Sequence, residues 1–196
     1  RADSDIQTLD DLSGHTVSIG AKESGTERNA SQILEFAGMP SSLVATKNLD
    51  YIEATKELKA GDIDAFFCTA GLTTTVIDEL SKECDIRLIP LTDTVISKML
   101  ESSSAYTSEV IPAGTYTGQT TDISTIGVKS VLITKSDVSD DTIEQLTSLL
   151  FEKENELSYS NSLKLELTYD FATGDIPIPF HKGAKRYYED CGYSAN

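Results

Sequence analysis

The chain has 196 residues, 39% of them hydrophobic, which is material for one generous core or two small lobes. Sixteen basic residues stand against 32 acidic ones, a formal charge of −16 at pH 7. That balance repels a phosphate backbone and an anionic membrane surface alike, so it argues against nucleic-acid or membrane-surface binding and fits a soluble, exported protein.

In chain order, β-prone runs at 16–20, 43–47, 63–68, 86–91 and 126–134 alternate with helical patterns at 25–37, 51–59, 74–84, 94–102 and 141–157. Strands separated by helices of this length predict an α/β fold, a mainly parallel sheet covered by helices. The first unit is the most telling. Thr16-Val17-Ser18-Ile19-Gly20 stops at a glycine, crosses a polar loop and starts a helix at Ser24-Gly25-Thr26. Ala30, Ile33, Leu34 and Ala37 then mark one buried stripe at helical spacing. A helix that opens directly after a strand points unpaired N–H groups into the crevice at the strand's carboxyl end, where they and the helix dipole suit a small anion.

Ser24 and Glu27 also have the spacing of a capping box, which needs no ligand; the two readings are compatible, because a box satisfies only some of the free N–H groups. Gly61-Asp62 ends the second helix, as a C-terminal glycine should. Thr69-Ala70-Gly71-Leu72-Thr73 then repeats the strand-end, small-residue, helix-start pattern, with Thr73 as the expected cap. Two such openings from successive units of a parallel sheet fall on the same edge.

The stretch 103–124 is rich in Ser, Thr, Gly and Pro and reads as a long surface excursion, with Tyr116 as a residue placed either to close over a ligand or to pack at a hinge. Beyond it, Asp137, Ser139 and Asp140 mark a helix start, and Ile143, Leu146, Leu150 and Leu157 line one face of the helix that follows. Leu163-Lys164-Leu165-Glu166-Leu167 alternates as a strand would; Ile176-Pro177-Ile178-Pro179 cannot be helix interior, and 181–191 reads as a terminal helix. Lys182, Lys185 and Arg186 beside Tyr187 and Tyr188 place cations near that helix's end and aromatic rings for packing.

Chemistry-bearing constellations are sparse. Cys68, Cys84 and Cys191 show no Cys-x-x-Cys spacing, so neither a zinc site nor a disulfide framework follows. Cys68 lies in an apolar run and belongs in the core; Cys84 and Cys191 are left open as a pair or as free thiols. No base accompanies Cys68, with His15 and His181 in polar segments at opposite ends. Ser24 lacks a Gly-x-Ser-x-Gly elbow, and no Gly-x-Gly-x-x-Gly or phosphate-loop lysine is present. Asp62 and Asp64 flank a turn and read as turn chemistry, not a metal site. The expectation is a ligand-holding protein without cofactor, metal or catalytic activity.

Several motifs in order carry a resemblance: Asp11-Leu12-Ser13-Gly14, Val17-Ser18-Ile19-Gly20, Ser24-Gly25-Thr26-Glu27, Leu58-Lys59-Ala60-Gly61-Asp62-Ile63-Asp64-Ala65-Phe66-Phe67, Ala70-Gly71, Ile111-Pro112-Ala113-Gly114-Thr115-Tyr116-x-Gly118-Gln119, and Ile178-Pro179-x-His181-x-Gly183-Ala184-x-x-Tyr187-Tyr188. Together they resemble the TAXI-type solute-binding subunits of TRAP transporters, extracytoplasmic receptors with a type II periplasmic-binding-protein fold. The resemblance implies a ligand-binding lobe over 14–124, a crossover strand and C-terminal helices over 125–196, and a first-lobe portion that the chain lacks. It also implies a small carboxylate ligand, either a glutamate-like amino acid or a C4/C5 dicarboxylate, delivered to membrane transporter subunits.

The ligand residues implied are Ser24, Gly25, Thr26, Asn29, Thr69, Ala70, Gly71, Thr73 and Tyr116. Localisation would be periplasmic or at the cell surface, with the targeting segment outside this sequence. The Ile143 stripe would then be covered by a second copy, repacked or left exposed. The overall charge opposes an anion at long range, but screening ends that field beyond ~8 Å at physiological salt, and a zwitterion suffers least. An enzyme on the same lobed architecture and an effector-sensing domain of a transcription regulator are the competing classes.

Overall fold

The computed structural model describes residues 1–40, 42–153 and 167–195. These form two compact units, Arg1–Gly127 and Val128–Asn196.

The first unit is built on a three-stranded parallel sheet. Strand β1 (Thr16–Ser18) lies between β2 (Ala45–Lys47) and β3 (Ala65–Phe66), with Val17 opposite Thr46 on one side and Ala65 on the other. Parallel neighbours need crossovers. Helix α1 (Gly25–Phe36) supplies the first and α2 (Tyr51–Ala60) the second. The order β2-β1-β3 sends α1 and α2 to opposite faces, because both crossovers keep the same hand.

The cores follow that split with the two-residue period of a strand. Val17, Ile19, Ala65 and Phe67 pack with Ala30, Ile33 and Leu34 of α1 and with Val95, Ile96 and Met99 of α4 (Asp93–Ser102). Phe66 turns the other way, to Ala54 and Leu58 of α2 and Leu80 of α3 (Thr75–Glu83). Fully buried side chains such as Val17 and Met99, both 0% exposed, each contribute about 1.5–3 kcal/mol. Helix α2 has a complete capping box between Asp50 and Glu53 and ends at Gly61 in the left-handed region, φ 82°. Asp64 acts outside its turn: its carboxylate accepts the Thr16 N–H at 2.8 Å and lies 3.3 Å from His15, tying the starts of β1 and β3.

The helices expected at 25–37, 51–59, 74–84, 94–102 and 181–191 occupy those places within a residue at each end, whereas the one expected over 141–157 spans Asp140–Glu152; the strands differ more. The run 86–91 forms no strand. Pro90 lacks an N–H, Leu91 N–H bonds the lone carbonyl of Ser124, and the Arg87 guanidinium substitutes a side chain for a ladder by donating to the carbonyls of Ala2, Ser4 and Ile6. The excursion 103–124 contains β4 (Tyr106–Ile111), which pairs with β5 (Ile123–Val128). The strand expected over 126–134 stops at Val128. Leu132 and Ile133, 69% and 73% exposed, continue without a partner strand among the described residues.

In the second unit α5 (Asp140–Glu152) packs on α7 (Lys182–Asp190), and a short α6 (Tyr169–Thr173), capped by Thr168, was not signalled by the sequence. Ile143 and Thr147 are buried, while Leu146 stays 40% exposed. The α7 cations sit in its first half, not near its C-terminus, and Arg186 pairs with Asp141 at 2.7 Å and with Glu144 on α5. Phe151, Tyr169 and Tyr193 stack with centroids 4.4 and 4.7 Å apart, and Tyr187 and Tyr188 close the cluster. His181 accepts the Gly183 N–H at 3.1 Å and so caps α7. Residues 163–166 of the alternating run, and Leu157, lie outside the described residues. All three cysteines are free thiols.

Candidate functional site

The carboxyl ends of β1 and β3 are neighbours, and their chains leave toward opposite faces, which opens a crevice between the two exits. Gly20 makes the first exit possible. It sits at φ 98°, and a Cβ there would lie 2.7 Å from Thr26 Cβ, so the loop folds back tightly onto the first turn of α1.

At that turn Ser24 Oγ accepts the Glu27 N–H at 3.1 Å, half of the expected box. The other half is displaced by one residue: the Glu27 carboxylate takes the N–H of Glu23 at 2.5 Å and Asn48 Nδ2 at 2.8 Å. Asn48, at the exit of β2, also donates to the Gly20 carbonyl at 3.0 Å. Glu27 is thereby drawn to the loop side. The main-chain N–H groups of Gly25 and Thr26 have no protein acceptor among the described residues, and a Cβ built on Gly25 meets nothing within 4 Å.

Across the crevice stands Thr69. Asn29 Nδ2 donates to its Oγ1 at 3.4 Å, and Asn29 Oδ1 accepts from the Tyr106 hydroxyl at 2.9 Å. Tyr51, which the sequence did not flag, bridges the two sides: its hydroxyl is 2.7 Å from Thr26 Oγ1, donates to the Thr69 carbonyl at 2.9 Å and accepts the Thr69 N–H at 3.1 Å. The structure therefore brings Ser24, Gly25, Thr26, Asn29 and Thr69 together, and adds Tyr51, Asn48 and Tyr106. Burial pushes the Cys68 thiol beside them up to about 11, against a smaller pull from the Tyr51 hydroxyl. Cys68 is a protonated thiol there, and among the described residues no group of three or more His, Cys, Asp and Glu side chains is arranged to hold a metal.

The second opening is arranged differently. Thr73 does not cap α3: it has φ 58°, its hydroxyl donates to the Leu72 carbonyl at 2.6 Å, and the cap position falls on Thr74, whose side chain makes no capping bond. Tyr116 stands in for the cap. It is 7% exposed, and the N–H groups of Thr74 and Thr73 face its hydroxyl, pulling its pKa down against the larger upward push of burial.

The loop that delivers Tyr116 is knotted by Gln119. The two protons of its Nε2 are shared among the carbonyls of Ile111, Pro112 and Thr121, and its Oε1 accepts the Tyr116 N–H. The same loop docks on α3 through Thr117 N–H and Ser81 Oγ, 3.3 Å apart. Ala70 and Gly71 are exposed beside this closed opening. Of the two amide clusters on this edge, the one on α3 is filled by the protein's own hydroxyl and the one on α1 is open.

No helix among the described residues is long and apolar enough to cross a membrane. The sequence matches a family model described as NMT1-like family over residues 1–192, nearly its whole length.

Proposed function

The chain belongs to the NMT1-like family, a solute-binding, periplasmic-binding-protein-like family, and from that premise we propose that it is an extracytoplasmic receptor that captures a small carboxylate for a TRAP-type secondary transporter. The ligand class is a glutamate-like amino acid or a C4/C5 dicarboxylate. The receptor holds its solute without transforming it. The observation that carries the ligand class is the open α1 mouth: two adjacent main-chain N–H groups, Gly25 and Thr26, at the positive end of a 12-residue helix and across from the Thr69 hydroxyl. A carboxylate has two acceptor oxygens and four lone-pair sites, which match such a set of donors. The TAXI subtype is supported by the motifs from Asp11-Leu12-Ser13-Gly14 to Tyr187-Tyr188.

Calorimetric titration with L-glutamate and with succinate tests this reading. One of them is expected to bind, and Gly25→Asp, which places a carboxylate in the open space at the mouth, is expected to abolish the heat. Recovery of the ligand unaltered after prolonged incubation, read by proton NMR, separates a receptor from an enzyme. Binding that survives Gly25→Asp, or turnover of the ligand, refutes the reading.

A further inference from the structure

One hydroxyl holds both sides of the crevice. Tyr51 is the first residue of α2, where the reciprocal bonds of Asp50 and Glu53 fix its main chain. A phenol has one proton and two lone pairs. The proton goes to the Thr69 carbonyl and one lone pair receives the Thr69 N–H, so Thr26 Oγ1, 2.7 Å away, is the donor in its own bond to Tyr51. The Thr26 side chain, in a residue only 6% exposed, then has no proton left for a solute. What Thr26 offers the crevice is its main-chain N–H. The position of that N–H relative to Thr69 is set from α2.

We propose that Tyr51 is the positioning residue of this crevice: its hydroxyl is a strut that keeps the first turn of α1 and the exit of β3 at one spacing, so that the donors on both sides meet a single carboxylate as a set. The carboxylate rests on the receptor reading above; the strut does not. Replacing the hydroxyl by hydrogen retains the ring's packing but deprives Thr69 of both main-chain partners and frees the Thr26 hydroxyl to rotate.

The test compares Tyr51→Phe, Thr26→Val and the double variant in the full chain, by hydrogen exchange at the Thr69 amide and by calorimetry with L-glutamate and with succinate. Tyr51→Phe is expected to speed Thr69 exchange by about tenfold and to weaken the bound probe by about tenfold. The double variant should be no weaker than Tyr51→Phe alone, because both substitutions remove the same bond between α1 and α2. Thr69 exchange that stays at the wild-type rate, or additive losses in the double variant, overturns the strut. If the wild-type protein binds neither probe, the receptor reading loses its ligand class, while the strut is still decided by Thr69 exchange. If Tyr51→Phe does not fold, Thr26→Val severs the strut at its other end: faster exchange at the Arg28 amide in the first turn of α1 supports it, and unchanged exchange overturns it.

Discussion

Gly20→Ala tests whether the crevice depends on the tight return of the β1 loop. Gly20 has φ 98°, and a methyl at this position would stand 2.7 Å from Thr26 Cβ, 2.8 Å from Thr26 Cγ2 and 3.2 Å from the Glu27 nitrogen. Two effects add. The left-handed backbone costs a non-glycine residue about 1–2 kcal/mol. Forcing a methyl into occupied space costs about 1–3 kcal/mol, because Thr26 is buried and held by Tyr51 and cannot swing aside freely. The sum is about 2–5 kcal/mol, or a fall in Tm of ~5–15 °C for a chain of this size.

Thermal melts followed by far-ultraviolet circular dichroism give the number. Gly25→Ala is the internal control on the same turn: nothing lies within 4 Å of its added methyl, and its melt should stay within ~0.5 kcal/mol of wild type. The clash also pushes Thr26 away from Tyr51, so Thr69 amide protection should fall in Gly20→Ala and not in Gly25→Ala. Equal melting of the two variants would show that the loop yields without cost, and the packing argument fails.

Tyr116→Phe removes the hydroxyl that the N–H groups of Thr73 and Thr74 face, and is expected to destabilise by about 0.5–1.5 kcal/mol in urea melts and to loosen the first turn of α3 in hydrogen exchange. Because burial raises the Tyr116 phenol, the stability tied to its neutral form is complete below the unfolded value of about 10 and is lost as pH climbs through the folded value; Tyr187 and Tyr188 are raised as well, so an alkaline spectrophotometric titration should show one fewer late tyrosine in the variant than in the wild type. Cys68, pushed up to about 11, should carry roughly a hundredfold less thiolate at pH 8 than an ordinary cysteine, and it should react more slowly with a thiol reagent than the exposed Cys191. Asp11 is held below the usual carboxylate range, first by the Gln7 N–H and then by the hydroxyl and N–H of Thr8, so its contribution is present at neutral pH and disappears as pH falls through the lowered value. Asp11→Asn should therefore flatten the acid side of the urea midpoint against pH.

Much of the fold was legible because its period was unambiguous. Ala30, Ile33 and Leu34 fall on one helical stripe and are buried together, and Val17, Ile19 and Phe67 take one face of the sheet while Phe66 takes the other. The failures share a cause. The run at 86–91 and the end of 126–134 have strand composition but no strand beside them, and a ladder needs a partner that local residues do not reveal. Tyr106 and its neighbours have that partner in β5, so they pair despite a Ser- and Thr-rich composition. Tyr51 escaped notice for a related reason: a tyrosine at the head of a helix is unremarkable until the crossover brings Thr26 and Thr69 to its hydroxyl.

The two helix openings show where sequence pattern ends and geometry begins. Both read as small polar residues between a strand and a helix. In the first, Ser24 reaches the Glu27 N–H and satisfies its own helix, so the neighbouring N–H groups of Gly25 and Thr26 remain open. In the second, the side chain at the cap position makes no such bond, and the first N–H groups of that helix face an acceptor from elsewhere. The long loop supplies it. The motif Ile111-Pro112-Ala113-Gly114-Thr115-Tyr116-x-Gly118-Gln119 thus has a structural account independent of any solute: the Gln119 side chain ties together the carbonyls of Ile111, Pro112 and Thr121, and the loop brings a hydroxyl to α3. A receptor with two equivalent anion mouths would have to choose between two seats for one carboxylate. Here a tyrosine closes one of them, and of that pair the open one is the α1 mouth.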